Sequence, residues 1–494
     1  MHKDLNLLAL DLGAESGRAI LGKFDGERIK LAEIHRFANS PLPLPDGLHW
    51  NTSGLWAEML NGLGLAAREG TLASMGIDTW GVDFGLLDSQ DVLIGNPYHY
   101  RDSRTDGVME KAFAIVPRQE IFAQTGIQFM QLNSLFQLYA MVLNQSPALE
   151  IAARFLTMPD LFNFWFTGRK ANEFSNATTT QCYNPLSGGW AGDLLRKLDI
   201  PAHIFGEIVP PGALLGPLRK PVAEAAGIAP IPVIAPACHD TGSAVAAVPA
   251  TRESTAWISS GTWSLVGTNV RQPVIDERSL AFNLTNEGGV DGTFRLLKNI
   301  NGLWLVQEAR RTWAAQGEQL SYDTLTQLAE QADALRSLVD PDYEAFFKPG
   351  NMPDRIQAYC VRSGQPAPMS KGAVVRCALE SLALKYRWVI EKLETLTNRP
   401  LEAVHIVGGG SQNRMLSQFT ANATGRPVVG GPVEATATGN LLAQAIALGE
   451  IGSWAEARQV VCASFEVETF TPQPSAAWDD AYGRFLKLAG EKYA

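Results

Sequence analysis

The chain has 494 residues, a net charge of −10 and 46% hydrophobic residues. Single cores stop growing at about 250–300 residues, so two domains are expected. The net negative charge and the lack of a cluster of basic residues argue against a nucleic-acid partner. The first apolar run is too short for a signal peptide or a membrane span. Five scattered cysteines fit a reducing cytoplasm, where pairing of Cys360 with Cys377 is not expected.

The beginning of the chain predicts an antiparallel sheet. Residues 5–10 form an apolar run that enters a Gly- and Ser-containing turn at 11–18, and two further strands follow at 19–24 and 29–37. A strand rather than a helix follows the turn, which excludes a P-loop. The turn is either a plain tight turn or one whose backbone N–H groups bind phosphate oxygens.

Residues 52–68 have the periodicity of a helix, and 75–84 predict a strand, a glycine turn and a second strand. Gly81 would let a substrate approach the backbone, Trp80 offers a flat apolar wall, and Asp83 could accept hydrogen bonds from hydroxyl groups. The alternative is a half-buried hairpin with a structural tryptophan.

The stretch from 109 to 166 is predicted to be mainly helical, ending in a core helix with a proline near its start and a glycine past its end. Residues 176–181 predict a hydroxyl-rich loop, and 200–216 a surface crossing. None of these segments is assigned chemistry.

The most informative position is Asp240, with His239 before it and Thr241 after it. It follows a buried strand at 231–235 and precedes a helix of small residues. An aspartate at such a junction is often a helix cap, but it can also take a proton from a substrate hydroxyl.

The second half begins after a boundary near 249–252 and repeats the first pattern, since 254–267 again predict strand, turn and strand. This indicates a duplicated fold with a phosphate-binding turn in each half. Asn299 and Gln307, at the entry to a helix, suit contacts to a sugar hydroxyl or adenosine, or helix capping.

Helices are predicted at 324–338 and 371–396. Residues 404–413 form a buried strand that ends in three glycines, where the backbone could lie against a base or ribose. A small-residue helix is expected after 430, and a final strand and helix over 465–494.

Taken in order, these motifs resemble those of the FGGY sugar kinases, within the actin, Hsp70 and hexokinase superfamily. The segments that carry the resemblance are 11–18, 77–84, 239–243, 259–264 and 408–413. The resemblance implies an α/β fold of two domains, each with a ribonuclease H-like mixed five-stranded sheet flanked by helices, and ATP and sugar in the interdomain cleft. It also implies a sugar-binding domain at 1–249, a nucleotide-binding domain at 250–464 and a segment at 465–494 that packs back.

The resemblance implies a role for each candidate residue. Asp240 would be the general base, and Asp11 would hold Mg²⁺ through water. The residues expected to contact the sugar are Gly81, His239, Asp240, Thr241 and Asn299. The residues expected to bind ATP are Ala14, Glu15, Ser16, Gly17, Arg18, Thr262, Gln307 and Gly409.

The implied reaction is phosphoryl transfer from MgATP to the 1-hydroxyl of L-rhamnulose, a step of L-rhamnose catabolism, by a cytoplasmic monomer or homodimer. A kinase for another ketose or polyol, such as L-fuculose or xylulose, is the nearest alternative. Residues 128–138 lack the family's Lys and Trp after a Pro, which weakens a xylulose or glycerol assignment. A chaperone, filament protein or non-catalytic sugar regulator of the same fold is a third possibility, disfavoured by Asp240.

Overall fold

The structure is a computed structural model that describes residues 5–250, 252, 254–473 and 475–489. Its contacts divide the chain into two compact units. The first contains the described parts of Met1–Pro249, Asn269–Leu296 and Ala435–Phe465. The second contains those of Ala250–Thr268, Leu297–Glu434 and Glu466–Ala494.

The strands and helices follow one another along both units. The strands are β1 (Leu5–Leu12), β2 (Ser16–Phe24), β3 (Ile29–Ala38), β4 (Leu42–Leu44), β5 (Gly47–His49), β6 (Leu72–Thr79), β7 (Phe84–Leu87), β8 (Arg154–Thr157), β9 (Asn172–Glu173), β10 (Tyr183–Asn184), β11 (Gly189–Trp190), β12 (Ile208–Val209), β13 (Ala213–Pro217), β14 (Pro232–Ala235), β15 (Thr255–Ser260), β16 (Trp263–Val270), β17 (Thr285–Gly288), β18 (Phe294–Asn301), β19 (Ala403–Val407), β20 (Val428–Gly430) and β21 (Glu468–Phe470). The α-helices are α1 (Thr52–Arg68), α2 (Val108–Phe113), α3 (Arg118–Thr125), α4 (Ser134–Leu143), α5 (Pro147–Ile151), α6 (Met158–Thr167), α7 (Phe174–Ala177), α8 (Gly192–Lys197), α9 (Lys220–Ala226), α10 (Asp240–Ala246), α11 (Glu277–Ala281), α12 (Trp304–Ala315), α13 (Tyr322–Glu330), α14 (Met352–Arg362), α15 (Lys371–Thr397), α16 (Arg414–Thr424), α17 (Ala435–Ala447), α18 (Trp454–Ser464) and α19 (Ala476–Ala489).

The larger sheets are both mixed. One has the strand order β13-β14-β6-β1-β2-β3, and the other β17-β18-β16-β15-β19-β20-β21. In the first, β1 pairs antiparallel with β2 and parallel with β6, which in turn pairs parallel with β14. The apolar residues 7–10 of β1 are fully buried, as expected for a central strand covered on both faces.

The predicted five-stranded sheets are therefore wrong in number, because edge strands extend both sheets to six and seven. Strand β13 extends the first sheet, and β17 and β21 extend the second. Five consecutive strands of each sheet have a common order, β3-β2-β1-β6-β14 in one and β18-β16-β15-β19-β20 in the other. This shared order agrees with the predicted duplication.

Several local predictions are confirmed. Helix α1 has the predicted bounds, and α15 extends one residue beyond the predicted end. Helix α6 has Pro159 in its first turn and ends at Gly168 in the left-handed conformation.

Other segments differ from prediction where long-range pairing decides the structure. Residues 75–84 do not form a hairpin, because β7 pairs with β8, a strand inside the stretch predicted to be helical. Helix α13 ends at Glu330, well before the predicted end. Residues 176–181, predicted as a hydroxyl-rich loop, are buried and lie mostly in short helical turns.

The two compact units are discontinuous in sequence, whereas the domains expected from the sequence, 1–249 and 250–464, are continuous. Helix α17 belongs to the first unit and packs on α10. A Cβ added at Gly439 would lie 1.9 Å from the carbonyl oxygen of Ser243, so the two helices approach more closely than a side chain allows. Residues Asn269–Leu296 also belong to the first unit.

None of the described helices combines the length and apolar composition needed to span a bilayer. All five cysteines are free thiols, and Cys360 and Cys377 are both buried.

Candidate active site

Three aspartates gather at the carboxyl ends of adjacent parallel strands of the first unit. Asp11 near the end of β1 is in register with Asp78 on β6. Asp240 follows β14 and is the first residue of α10. In mixed α/β sheets this edge is where ligands bind, because loops from neighbouring strands meet there.

Asp240 is not the N-cap residue of α10. The capping position is occupied by His239, and Asp240 is the first helical residue. Its Oδ1 accepts hydrogen bonds from the backbone N–H of Thr241, at 2.5 Å, and from the Thr241 hydroxyl, at 3.2 Å. The side chain keeps 28% of its surface exposed, so a substrate can reach it.

The electrostatic surroundings of Asp240 favour proton uptake. Desolvation by the surrounding protein raises the pKa of Asp240 above its usual value, and the charge of Asp11 adds to this rise, whereas His239 opposes it. A carboxylate whose pKa is raised is a better acceptor for a hydroxyl proton.

Glu173 holds the backbone just before Asp240. Its Oε2 accepts from the N–H of Cys238 at 2.9 Å, and its carboxylate also accepts from the N–H of Ser175 and Asn176. The Ser175 hydroxyl accepts from the N–H of His239 at 3.1 Å. Burial raises the pKa of Glu173 to about 6. No local sequence signal indicates this contact, because Glu173 lies more than 60 positions before Asp240.

Gly81 lies in the loop after β6, near the predicted sugar residues. Thr79, at the end of β6, donates its N–H to the carbonyl of Cys238 at 2.9 Å and forms a parallel bridge with His239. A Cβ at Gly81 would come within 3.0 Å of the Thr179 hydroxyl oxygen, so the loop is closely packed on one side. The structure thus brings Gly81, His239, Asp240 and Thr241 to one region of the first unit.

Asp83 is not available for a sugar hydroxyl, contrary to the sequence-based expectation. It is fully buried, and its Oδ2 accepts from the indole N–H groups of Trp50 (2.6 Å) and Trp80 (3.0 Å). The backbone N–H of Tyr100 also donates to Oδ2, and the Gln137 amide donates to Oδ1. Asp83 therefore anchors the aromatic side chains behind the loop.

Replacing Asp83 by asparagine should remove a pH dependence of stability. Burial raises the pKa of Asp83 to about 6. The native state therefore holds this proton more tightly than the unfolded chain, and the free energy of unfolding falls as pH rises from about 4 to 6. Between about pH 4 and 6, the free energy of unfolding of the wild type should fall by about 2–3 kcal/mol relative to that of Asp83→Asn. Urea unfolding at pH 4 and pH 7 measures the free energy of unfolding of both proteins. The same difference between the two proteins at both pH values would contradict the expectation.

The five residues expected to bind phosphate, 14–18, lie in the turn between β1 and β2 and in the first three positions of β2. The turn is held by backbone hydrogen bonds from Gly13 to Ser16 (2.9 Å) and from Asn39 to Glu15 (3.0 Å). A Cβ at Gly17 would lie 2.2 Å from the ring of Phe37, so packing alone already requires this glycine. Ala14 is half-buried and Glu15 exposed at the tip of the turn.

Asp11 lies beside one cationic side chain and one other carboxyl group. It forms an ion pair with Arg18, 2.5 Å between Nη2 and Oδ2. Burial and the neighbouring Asp11 raise the pKa of Asp78 well above its usual range. Within the described ranges, no three His, Cys, Asp or Glu side chains are grouped to hold a metal ion directly. Mg²⁺ commonly keeps several waters and binds one or two carboxylates together with phosphate oxygens, so Asp11 fits it.

The nucleotide-side candidates lie in the second unit, around the end of β15. Thr262, in the turn after β15, accepts at its carbonyl oxygen from the N–H of Gly302 at 3.0 Å, just before α12, which carries Gln307. A Cβ at Gly410 would lie 2.1 Å from the Ser260 hydroxyl oxygen, which fixes the glycine turn after β19 against β15.

Gly409 differs from its neighbours, since it is exposed and an added Cβ would meet no atom within 4 Å. Packing does not require this glycine, which leaves open backbone that a ligand can approach. Asn299, the fifth expected sugar residue, lies on β18 in the second unit, whereas the other four belong to the first.

Comparison with known families matches nearly the whole chain. The model described as FGGY family of carbohydrate kinases, N-terminal domain, matches residues 6–247, and that of the C-terminal domain matches 256–448. A rhamnulokinase of Bacteroides thetaiotaomicron is 46% identical, with 97% of this chain and 98% of that protein covered. A rhamnulokinase of Oceanobacillus iheyensis is 40% identical, with 94% and 97% covered.

Solved structures share the fold at low sequence identity. The gluconate kinase of Lactobacillus acidophilus has a TM-score of 0.81 and 17% identity, with 100% of this chain and 99% of that chain covered. The xylulose kinase of Rhodospirillum rubrum has a TM-score of 0.78 and 19% identity, with 98% of both chains covered. These likenesses establish the two-domain α/β fold with mixed sheets flanked by helices.

Proposed function

Because the chain belongs to the FGGY family of carbohydrate kinases, we propose that it transfers the γ-phosphoryl group of ATP to the 1-hydroxyl of L-rhamnulose. The products are L-rhamnulose 1-phosphate and ADP. The choice of L-rhamnulose as the sugar rests on eight rhamnulokinases that are 39–46% identical to this chain and cover 94–98% of it. Kinases for other ketoses remain the competing assignment.

Asp240 is the general base of the proposed reaction. Phosphoryl transfer passes through a loose transition state, so most of the rate comes from positioning and from neutralising charge. Asp240 orients the sugar hydroxyl toward the γ-phosphate and accepts its proton late. The raised pKa of Asp240 and its partly exposed carboxylate support this role.

The other candidate residues are assigned either to sugar binding or to ATP binding. Gly81, His239 and Thr241 contact the sugar, as does Asn299. The residues that bind ATP are the turn 14–18 together with Thr262, Gln307 and Gly409. In this assignment residues 1–249 supply most of the sugar contacts and 250–464 the base and ribose contacts.

Asp11 holds Mg²⁺ through water in this proposal, and the bound ion supplies neutralisation of phosphate charge. Arg18, paired with Asp11, contributes positive charge to the same turn. The negative charge of Asp11, which raises the pKa of the neighbouring Asp78, supports a cation at this place.

A panel of ketoses and polyols tests the assignment. ADP release is measured with L-rhamnulose, L-fuculose, xylulose and glycerol under identical MgATP. We expect the highest kcat/KM with L-rhamnulose, by about tenfold or more over each analogue that lacks a matching hydroxyl. A higher kcat/KM with another ketose would identify that ketose as the substrate. A rate of ATP turnover that does not depend on any sugar would instead indicate a chaperone- or filament-like ATPase.

A further inference from the structure

A buried ion pair contacts the ring of His239. Arg295, on β18, has no exposed surface, and Glu287, on β17, is 4% exposed. The Nη2 of Arg295 lies 3.2 Å from the Oε2 of Glu287. Both groups reach Nδ1 of His239, Arg295 at 3.1 Å and Glu287 at 3.3 Å. All three residues belong to the first unit.

The guanidinium of Arg295 is fixed in place by a second contact. Its Nε donates to the carbonyl oxygen of Gly288 at 2.8 Å. Because the guanidinium is planar and rigid, this bond sets the direction in which Nη2 points. Burying two charged groups this deeply costs desolvation free energy, and replacing such a pair by apolar residues often leaves the free energy of unfolding unchanged. Its position against a substrate-side histidine therefore points to a role beyond stability.

The contact with Arg295 determines where the imidazole proton sits. An arginine only donates hydrogen bonds, so Nδ1 must accept from it. A neutral imidazole that accepts at Nδ1 carries its proton on Nε2. Glu287 only accepts and would favour the opposite tautomer, but its negative charge is matched by Arg295, which is also nearer to Nδ1.

The other ring nitrogen faces the reacting carboxylate. His239 Nε2 lies 3.4 Å from Oδ1 of Asp240, with the His239 side chain 9% exposed. A proton on Nε2 makes His239 a donor toward Asp240 and toward a sugar oxygen beside it. With the proton on Nδ1 instead, Nε2 would be an acceptor facing a carboxylate, and this donor would be lost.

We infer that Arg295 and Glu287 are positioning residues that keep His239 protonated on Nε2, so that it donates a hydrogen bond to the bound ketose beside Asp240. Arg295 supplies the donor to Nδ1, and Glu287 balances its charge. This inference rests on the proposed function for its effect on the reaction, whereas the tautomer itself is measurable without any reaction.

The first experiment determines the tautomer by long-range ¹H–¹⁵N NMR of ¹⁵N-histidine-labelled protein at pH 8. Seven histidines give a tractable spectrum, and His239→Gln identifies the signal of interest. The wild type should show His239 with Nε2 protonated and Nδ1 unprotonated. In Arg295→Met the assignment should reverse, because Glu287 then becomes the sole partner of Nδ1. The signal of His405, in the second unit, should not move.

The second experiment separates the two kinetic constants. Arg295→Met should raise the KM for the ketose about tenfold, the cost of one lost hydrogen bond to substrate, with a smaller change in kcat and in the KM for ATP. The matched control is Arg376→Met, which breaks another arginine–glutamate pair, Arg376–Glu380, and should leave both the tautomer and the KM for the ketose unchanged.

The double variant Glu287→Met/Arg295→Met covers the case in which Arg295→Met alone fails to fold, since it leaves no unpaired buried charge. It should fold, lose the single tautomer and keep the raised KM. A wild type protonated on Nδ1 would overturn the inference. So would a folded Arg295→Met, or the folded double variant, with the wild-type tautomer and a KM for the ketose within twofold of the wild type. If ATP turnover proved indifferent to every sugar while the tautomer reversed in Arg295→Met, the proposed function would fail and the effect of Arg295 on the tautomer would stand.

Discussion

Replacing Asp240 by asparagine is expected to lower kcat by about 10²–10⁴ while the KM for the sugar stays within a few-fold of the wild type. Asparagine has nearly the same shape, and its Oδ1 can still accept from the N–H and hydroxyl of Thr241. It cannot accept the proton of the sugar hydroxyl. Steady-state kinetics with MgATP and L-rhamnulose measure both constants.

Asp193→Asn is the control for this substitution. Asp193 also lies in the first turn of a helix, α8, but its side chain is 78% exposed and pairs only with Arg196 among the contacts of the described residues. It should leave kcat unchanged. Turnover by Asp240→Asn within a few-fold of the wild type would show that another group accepts the proton.

The largest expected effect on stability is at Gly439. Alanine there would place a Cβ 1.9 Å from the carbonyl oxygen of Ser243, so α17 must move away from α10. We expect a loss of about 3 kcal/mol, the upper range for overpacking against backbone. Because α10 begins at Asp240, the shift should also lower kcat/KM by about 10²-fold.

Gly483→Ala serves as the matched control, since Gly483 lies within α19 and an added Cβ meets no atom within 4 Å. It should stabilise its unit by about 0.5–1 kcal/mol, because alanine favours a helix and restricts the unfolded chain. Urea unfolding and kinetics of both variants give the comparison. Equal stability of Gly439→Ala and the wild type would mean that the helices are not in the described contact.

The parts of the fold that could be predicted are those in which local signals agree. The bounds of α1 follow from its periodicity and from Asn51, whose side chain caps it. The junction at Asp240 follows from a buried strand next to small residues. These signals lie within one or two turns of the residues that they specify.

The residues that could not be predicted act over long separations. Asp83 was expected to bind hydroxyl groups, but its oxygens accept from partners between Trp50 and Gln137, of which Trp80 alone is near it in sequence. Glu287 and Arg295 reach His239 from 48 and 56 positions away. A usable signal was Arg295 itself, a charged residue between Phe294 and Leu296 in a strand, which has to be paired if it is buried.

The most direct test of the central claim identifies the phosphorylated product. The protein is incubated with MgATP and L-rhamnulose, and ³¹P NMR follows the γ-phosphate. We expect one sugar phosphate, coupled to the C1 protons, formed in equal amount to ADP and strongly reduced in Asp240→Asn. Inorganic phosphate formed at the same rate with and without the sugar would contradict it.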